Sequence, residues 1–354
     1  MLWALVMAGG WGTRLWPLSR REAPKPLLKL IPGRATLLEE TLKRLSPQIS
    51  TSRIWIIGNQ EHLRGLRRCA PQIPRAQIIG EPVSRNTAAT VALGASLISK
   101  RDPDAVILIL PADHWIPGKN KFHKSVQQAA RISGRTGAFS VFGVTPRFPS
   151  SSYGYIRSGR KVSSSIYELK GFVEKPSVAR ARGFLRSGRF FWHAGIFLAP
   201  AKTILNSIQK CAPAFSRKLL RMRIQNGRVV PSKAFRSLPS ISFDYAVLEK
   251  LKKAYAIRCD FDFCDVGTWK TFDGLWPRDK FGNSVVGTHS AVNASGNIVY
   301  SKDKMICLQG VDDLVVIDTP DAILVSRKDS PAEEMRKVAA AFSKKKKDAR
   351  PRYL

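Results

Sequence analysis

A chain of 354 residues with 44% hydrophobic content holds about two domains at roughly 150 residues each, which excludes a single small binding module or a disordered polymer. Lys and Arg number 59 against 26 Asp and Glu, and the formal net charge of +33 draws polyanions without choosing among nucleic acid, acidic membrane and phosphorylated metabolites. Cys69, Cys211, Cys259, Cys264 and Cys307 are odd in number and lack a C-x-x-C pair, so they read as reduced cytosolic thiols rather than a disulfide framework or structural zinc site.

In chain order, Met1 to Ala8 is apolar but carries no basic leader region and is far too short for a membrane span, so a cytoplasmic protein without a membrane partner is expected. Leu2 to Met7 reads as a buried strand ending at a Gly-rich turn, and Ile54 to Ile57, Val106 to Leu110 and Phe139 to Val144 repeat the pattern. Between them, Leu37, Leu38, Leu42 and Leu45 share one helix face, as do Val91, Leu93, Leu97 and Ile98. Strands alternating with helices predict an α/β fold with a mostly parallel sheet covered on both faces, its ligands at the carboxyl ends of the strands. Gly9 to Arg14 and Pro111 to His114 stand at such ends.

From about Gly282 the texture changes to short β-like runs, Ser284 to Val286, Ile298 to Tyr300, Met305 to Leu308, Leu314 to Ile317 and Ile323 to Val325, broken by Gly, Asn and Asp. These predict a small all-β domain over 281–342, closed by a helix from Ala332 to Phe342, after the α/β domain over 1–280. Residues 343–354, with four consecutive lysines, read as a disordered basic tail. Arginine clusters at 64–68 and 180–189 read as solvated helix faces; with no zinc-finger or RNP motif beside them, nucleic acid is not an expected partner.

The run Gly9-Gly10-Trp11-Gly12-Thr13-Arg14-Leu15, followed by Pro24-Lys25, follows the first strand directly. Small residues let backbone N–H groups approach phosphate oxygens, and Arg14 and Lys25 supply positive charge. No Gly-Lys-Ser/Thr makes it a Walker A loop, and Leu15 stands where the dinucleotide fingerprint needs its third Gly. GGWGTRLWPLSRREAPKPLL resembles the signature of the sugar-1-phosphate nucleotidyltransferase family. Glu81 to Ala88 (EPVSRNTA), Pro111 to His114 (PADH), Phe172 to Pro176 (FVEKP), Trp192 to Phe197 (WHAGIF), Ile241 to Glu249 (ISFDYAVLE) and Asp265 to Trp269 (DVGTW) resemble its mannose-1-phosphate guanylyltransferase branch, in the family's order. The resemblance implies a Rossmann-like mixed, mostly parallel sheet flanked by helices, with a β-helix-like C-terminal domain.

It further implies that GTP and mannose 1-phosphate give GDP-mannose and pyrophosphate with Mg²⁺ held by Asp113 and Asp265, and that Arg14 and Lys25 act on the phosphates. A sugar phosphate with its second pKa near 6 is its own nucleophile, so no protein base is needed, which suits a chain with only five His. Gly9, Gly10, Gly12, Thr13, Arg85, Asn86 and Thr87 would hold the nucleotide. Guanine offers two adjacent donors, which a carboxylate accepts, so Glu81 is the base-reading candidate. Glu174 would accept from sugar hydroxyls, Lys175 would face a phosphate, and His193 and Gly195 would border the sugar. Without the resemblance, Asp113 would be read as capping a turn, Asp265 as capping a helix from Thr268, and His114 as a packing neighbour.

Three departures from the branch stand out. His193-Ala194 replaces its usual Asn-Ser, Ala89 stands where Pro is usual, and Pro26 stands where Gln often follows the lysine. The first opens the possibility of another hexose 1-phosphate. Two rival readings remain: a glycosyltransferase using Asp260-Phe261-Asp262 as a D-x-D metal site, and a non-catalytic regulatory or RNA-associated relative, which the charge favours and the full set of site residues opposes. The chain stops before any isomerase domain of the kind some relatives carry, so one activity is expected; whether the chain forms a homodimer is left open.

Overall fold

A computed structural model describes residues 1–219 and 222–348. Spatially the chain forms two units. Among the described residues, the first comprises 1–9, 41–112 and 116–263, and the second 10–40, 113–115 and 264 onward. The second unit therefore takes in the signature segment as well as the β domain, where the sequence pattern alone places a single boundary near residue 280.

The first unit is built on an eleven-stranded sheet. Its strands are β1 (Leu2–Ala8), β2 (Ile54–Asn59), β3 (Ile78–Glu81), β4 (Val106–Pro111), β5 (Phe139–Val144), β6 (Tyr155–Lys161), β7 (Ile166–Val173), β8 (Phe190–Pro200), β9 (Arg223–Gln225), β10 (Arg228–Val230) and β11 (Ala254–Cys259). The order is β5-β11-β7-β6-β8-β4-β1-β2-β3-β10-β9, and a further β5–β8 pairing closes β5, β11, β7, β6 and β8 on themselves. The expected parallel arrangement holds for β3-β2-β1-β4. Beyond β4 the sheet is largely antiparallel: β6 and β7 pair as a direct return, and β8 runs antiparallel to both β4 and β6.

The helices are α1 (Leu37–Leu45), α2 (Leu63–Cys69), α3 (Asn86–Arg101), α4 (Lys119–Thr136), α5 (Val178–Ser187), α6 (Ala201–Cys211), α7 (Pro213–Leu219), α8 (Ser232–Arg236) and α9 (Phe243–Ala246), followed late in the chain by α10 (Glu334–Asp348). Trp3, Leu5, Ile107 and Ile109 join α3 in one apolar cluster, while the alternate Ala4, Val6, Leu108 and Leu110 are equally buried, so the central strands are covered on both faces. α3 is buried on more than one side: Ala88, Ala89, Ala92, Gly94 and Ala95 are buried along with Val91, Leu93 and Ile98. Small residues let neighbouring helices approach it all round, so a one-face reading of its apolar positions falls short.

The second unit is a short parallel β-helix. β12 (Ser284–Val286), β14 (Ile298–Tyr300) and β16 (Leu314–Thr319) stack in parallel; β13 (His289–Val292) and β15 (Ile306–Gln309) form a second parallel pair; β17 (Ala322–Arg327) returns antiparallel on β16. An asparagine ladder runs inside: Asn283 and Asn297 are fully buried, and Asn297 donates to Asn283 Oδ1 and the Val311 carbonyl while accepting from Leu314 N–H. The apolar core joins Leu15, Trp16, Leu30 and Leu37 to Val266, Trp269, Phe272 and Trp276 and to Ile298, Ile317 and Met335. The signature segment is thus part of the β-helix core. The closing helix α10 runs six residues past the expected Phe342, so Lys344 to Lys347 are helical where a disordered tail was expected; the rest of that tail, 349–354, lies outside the described residues. No helix among the described residues is long and apolar enough to cross a membrane.

Candidate active site

The Gly-rich segment leaves β1 at Ala8 and makes two single turns of 3₁₀ helix, Thr13–Leu15 and Lys25–Leu27. Gly12 has φ +69°, and a Cβ there would lie 2.5 Å from the Lys25 Cβ, so only glycine lets the loop close over the lysine stem. Lys25 N–H donates to the Trp11 carbonyl, completing the closure. The Lys25 side chain is buried, with Nζ 2.8 Å from Asp113 Oδ2 and a second bond donated to the Asp265 carbonyl. Burial works against the charge on Asp113, but Lys25 and His114 outweigh it and hold the carboxyl below the usual range. Gly10 borders the same carboxylate, since a Cβ there would lie 3.8 Å from Asp113 Oδ2.

Asp265 enters through a bridge between Trp115 and Cys264 and a tight turn in which Gly267 N–H donates to its Oδ1 at 3.1 Å. Asp265 therefore closes its own turn, and Thr268 occupies the cap position of the following 3₁₀ helix. Within that turn Val266 is held at φ +46°, rare for a β-branched residue and the kind of backbone strain that collects at functional sites. Lys25 so brings Asp113 and Asp265 together. Arg14 is not part of that knot; it lines a hollow of about 340 Å³ with Thr268, Lys270 and Arg327. Thr13 is exposed on the same turn.

In the first unit, Glu81 ends β3 and is 3% exposed, accepting from Thr90 Oγ1 at 2.7 Å. Burial pushes its pKa up to about 8. A Cβ on Gly9 would lie 4.0 Å from Glu81 Oε2, so the carboxyl faces the point where the Gly-rich segment begins. Arg85 stands just before α3 and donates to the Arg236 carbonyl; Asn86 is exposed at φ +60°; Thr87 accepts from Phe243 N–H at 2.8 Å and ties α3 to α9. Among these only Asn86 and the remaining face of Arg85 are open to a ligand, and Thr87 is already committed to structure.

The sugar-side candidates gather elsewhere in that unit. His193 on β8 is buried, its Nε2 3.2 Å from Asp244 Oδ1, and neither ring nitrogen makes a well-aligned hydrogen bond. Gly195, at φ +68°, sits where β8 gains two residues over β5, a bulge that re-aims the strand beside His193. Glu174 N–H donates to Glu249 Oε1 at 3.2 Å, and Lys175 Nζ lies 3.7 Å from Glu174 Oε1. Burial, then the charge of Asp244, raises the Glu174 pKa against the pull of His193 and Lys175; Asp244 is lowered because His193 outweighs its burial. Asp244 and Glu249 carry no role in the sequence reading, although both lie in the ISFDYAVLE segment. Asp244 at the imidazole, Glu174 within its field and Glu249 on the Glu174 N–H form an acceptor-rich cluster suited to hydroxyl groups.

The rival D-x-D pair does not assemble: Asp260 and Asp262 are exposed, and Asp262 pairs with Arg147. Cys259 and Cys264 are pushed up to about 12 by burial and are inert as nucleophiles at neutral pH.

The nucleotidyl transferase family profile matches residues 3–275, and the MannoseP isomerase/GMP-like beta-helix domain profile matches residues 287–341. A mannose-1-phosphate guanylyltransferase of Sinorhizobium fredii is 35% identical over 334 residues, covering 91% of this chain and 64% of the relative's own length. One from Escherichia coli is 35% identical, covering 93% of this chain and 71% of the relative. A crystal structure from Thermus thermophilus, described as a mannose-1-phosphate geranyltransferase, superposes with a TM-score of 0.87 at 33% identity, covering 97% of this chain and 99% of that one. With profile, relatives and fold in agreement, the chain belongs to the nucleotidyl transferase family, in its mannose-1-phosphate guanylyltransferase branch.

Proposed function

We propose that the chain transfers GMP from GTP to mannose 1-phosphate. An oxygen of the sugar phosphate attacks the α-phosphorus, the bond from that phosphorus to the β-bridging oxygen breaks, and pyrophosphate leaves with the bonding pair. The observation that carries this reading is Lys25, a buried ammonium shared by the Asp113 carboxylate and the Asp265 carbonyl at the end of a Gly-rich phosphate loop. Lys25 and Arg14 neutralise charge as it moves onto the departing oxygens.

The donor set fits Mg²⁺, which binds through one or two carboxylates plus substrate phosphates: Asp113 and Asp265 would hold it, and Asp265 closes its own turn through Oδ1. When bound, the ion supplies charge neutralisation on the triphosphate. Glu81 reads guanine through its acceptors, and Glu174, Asp244 and Glu249 accept from sugar hydroxyls, with His193 orienting Asp244.

A panel of nucleoside triphosphates against hexose 1-phosphates, read by pyrophosphate release with Mg²⁺, tests the proposal. GTP with mannose 1-phosphate should be the fastest pair. Release from no pair, or an equal rate with every nucleotide, would overturn it. In the same panel His193→Asn should keep GTP use and alter the ranking among the hexose phosphates.

A further inference from the structure

We infer that Phe342 and Arg20 are positioning residues for the transfer reaction, a clasp by which α10 and the β16–β17 turn hold the phosphate loop in its working shape; the catalytic half of this inference rests on the function proposed above. The loop from Gly10 to Lys25 has no ladder of its own. It consists of two single turns, tied by Ser19 Oγ donating to the Gly12 carbonyl, Lys25 N–H to the Trp11 carbonyl, and reciprocal backbone bonds between Arg20 and Ala23. Arg20 stands at the start of that last turn, whose far side leads into Pro24 and Lys25.

Arg20 is held from outside the loop on three sides. Its Nη1 lies 2.6 Å from Asp321 Oδ2, its Nη2 donates to Thr319 Oγ1 at 3.1 Å, and its guanidinium lies 5.4 Å from the centre of the Phe342 ring. Its Nε donates back to the Pro17 carbonyl at 2.7 Å, so the same planar group links the hairpin to Pro17 and to the start of the turn. Phe342 also packs on Trp16, ring centres 5.2 Å apart, and the Trp16 carbonyl accepts from Trp269 Nε1, next to the Asp265 turn. One aromatic side chain therefore touches two residues, Trp16 and Arg20, inside the stretch between Gly12 and Lys25.

Phe342 lies at the edge of the core, beside a hollow of about 830 Å³ between α10 and the loop, and just past the matched β-helix profile. Its removal should loosen the loop without dissolving the unit. A displaced Lys25 or Arg14 is costly, since small misplacements of a phosphate-binding group lower rates far more than affinities.

The test uses the full chain. Hydrogen–deuterium exchange without substrate should be faster over residues 10–25 in Phe342→Ala than in wild type, unchanged over β12 to β16, and restored in Phe342→Tyr. Melting should stay within a few degrees of wild type. In turnover, Phe342→Ala and Arg20→Ala should lower kcat by about ten-fold or more with a smaller change in the KM for GTP, and Phe342→Tyr should recover kcat. Unchanged exchange over 10–25, or exchange accelerated evenly across the unit, would overturn the clasp. Faster exchange with wild-type kcat would overturn its role in catalysis. If the wild-type chain turned over no GTP, the proposed activity would fall, and the exchange result alone would decide the clasp.

Discussion

Glu81 combines two demands that pull in opposite directions. Its pKa of about 8 against an ordinary 4.5 means that, between those values, the folded chain keeps a proton that the unfolded chain has lost. A group raised on folding favours the folded state fully below its unfolded pKa and loses that advantage as pH climbs to the folded value, so stability should decline from about pH 4.5 to pH 8 by an order of a few kcal/mol. Glu81→Gln, an uncharged mimic of the protonated form, should therefore melt higher than wild type at pH 8 and equally near pH 5. It should lose GTP use far more than ATP or UTP use, because an amide sets a donor against guanine. Wild-type affinity for GTP should rise with pH toward 8 as the accepting carboxylate forms, and the variant should be flat; calorimetric titration across that range checks both.

Asp113 is more than a metal candidate, since its carboxylate is the ion-pair partner of a buried lysine. Asp113→Ala should abolish turnover and also cost roughly 2 to 4 kcal/mol, because the ammonium left behind keeps only the Asp265 carbonyl. Denaturant titration should show that loss, and Lys25→Met with Asp113→Leu should recover stability without activity. At this scale the sequence named Lys25, Asp113 and Asp265 but not the pairing, because nothing in the spacing of residues 25, 113 and 265 sets a distance. Asp244 and Glu249 escaped for a related reason: they sit in and just after one short turn of helix, with no pattern of their own, and acquire meaning only beside His193 and Glu174.

Among the elements, those with one strong local signal were read closely. Ser284–Val286 and Ile298–Tyr300 have the bounds expected of them, and β1, β4 and β5 lie where short apolar runs put them. β13, with polar His289 and Ser290, offers no apolar run, because its outward side needs none. The antiparallel returns of β6 and β7 were missed since they are half-exposed and carry Arg and Lys. The asparagine ladder explains how such short strands hold register. Asn297 is fully buried, and its side chain makes three hydrogen bonds, with Asn283, Val311 and Leu314 as partners. Asn297→Ala strands those groups away from water, so a loss of about 2 to 4 kcal/mol is expected. Tryptophan fluorescence during urea unfolding should show it, while Asn293→Ala, at a positive-φ turn, should cost less.

For the whole molecule, the net charge of +33 and the helical continuation of α10 bear on catalysis differently. The charge is spread along the chain, so it should raise encounter with anionic substrates and be screened by salt: the KM for GTP should rise with added KCl while kcat changes little. Deleting residues 343–354 removes lysines that follow Phe342 and should leave kcat unchanged, whereas deletion from 342 onward should not; steady-state rates of the two truncations decide this. The two-unit partition was the least readable feature. Residues 10–40 join the β-helix core through Leu15, Trp16 and Leu30, contacts between segments more than 200 residues apart that no local pattern announces.

The antiparallel return of β17 on β16 has a colloidal consequence. A stack of parallel coils is open-ended by construction: the last rung of one copy offers the row of amides and carbonyls that the first rung of another could accept, and growth by head-to-tail addition would need no change of shape. β16 spends that row on a tight hairpin within its own chain, from Leu314 against Arg327 to Thr319 against Ala322. A further coil is thereby refused β16 as a parallel template, and the edge it would meet instead is β17, which runs the opposite way.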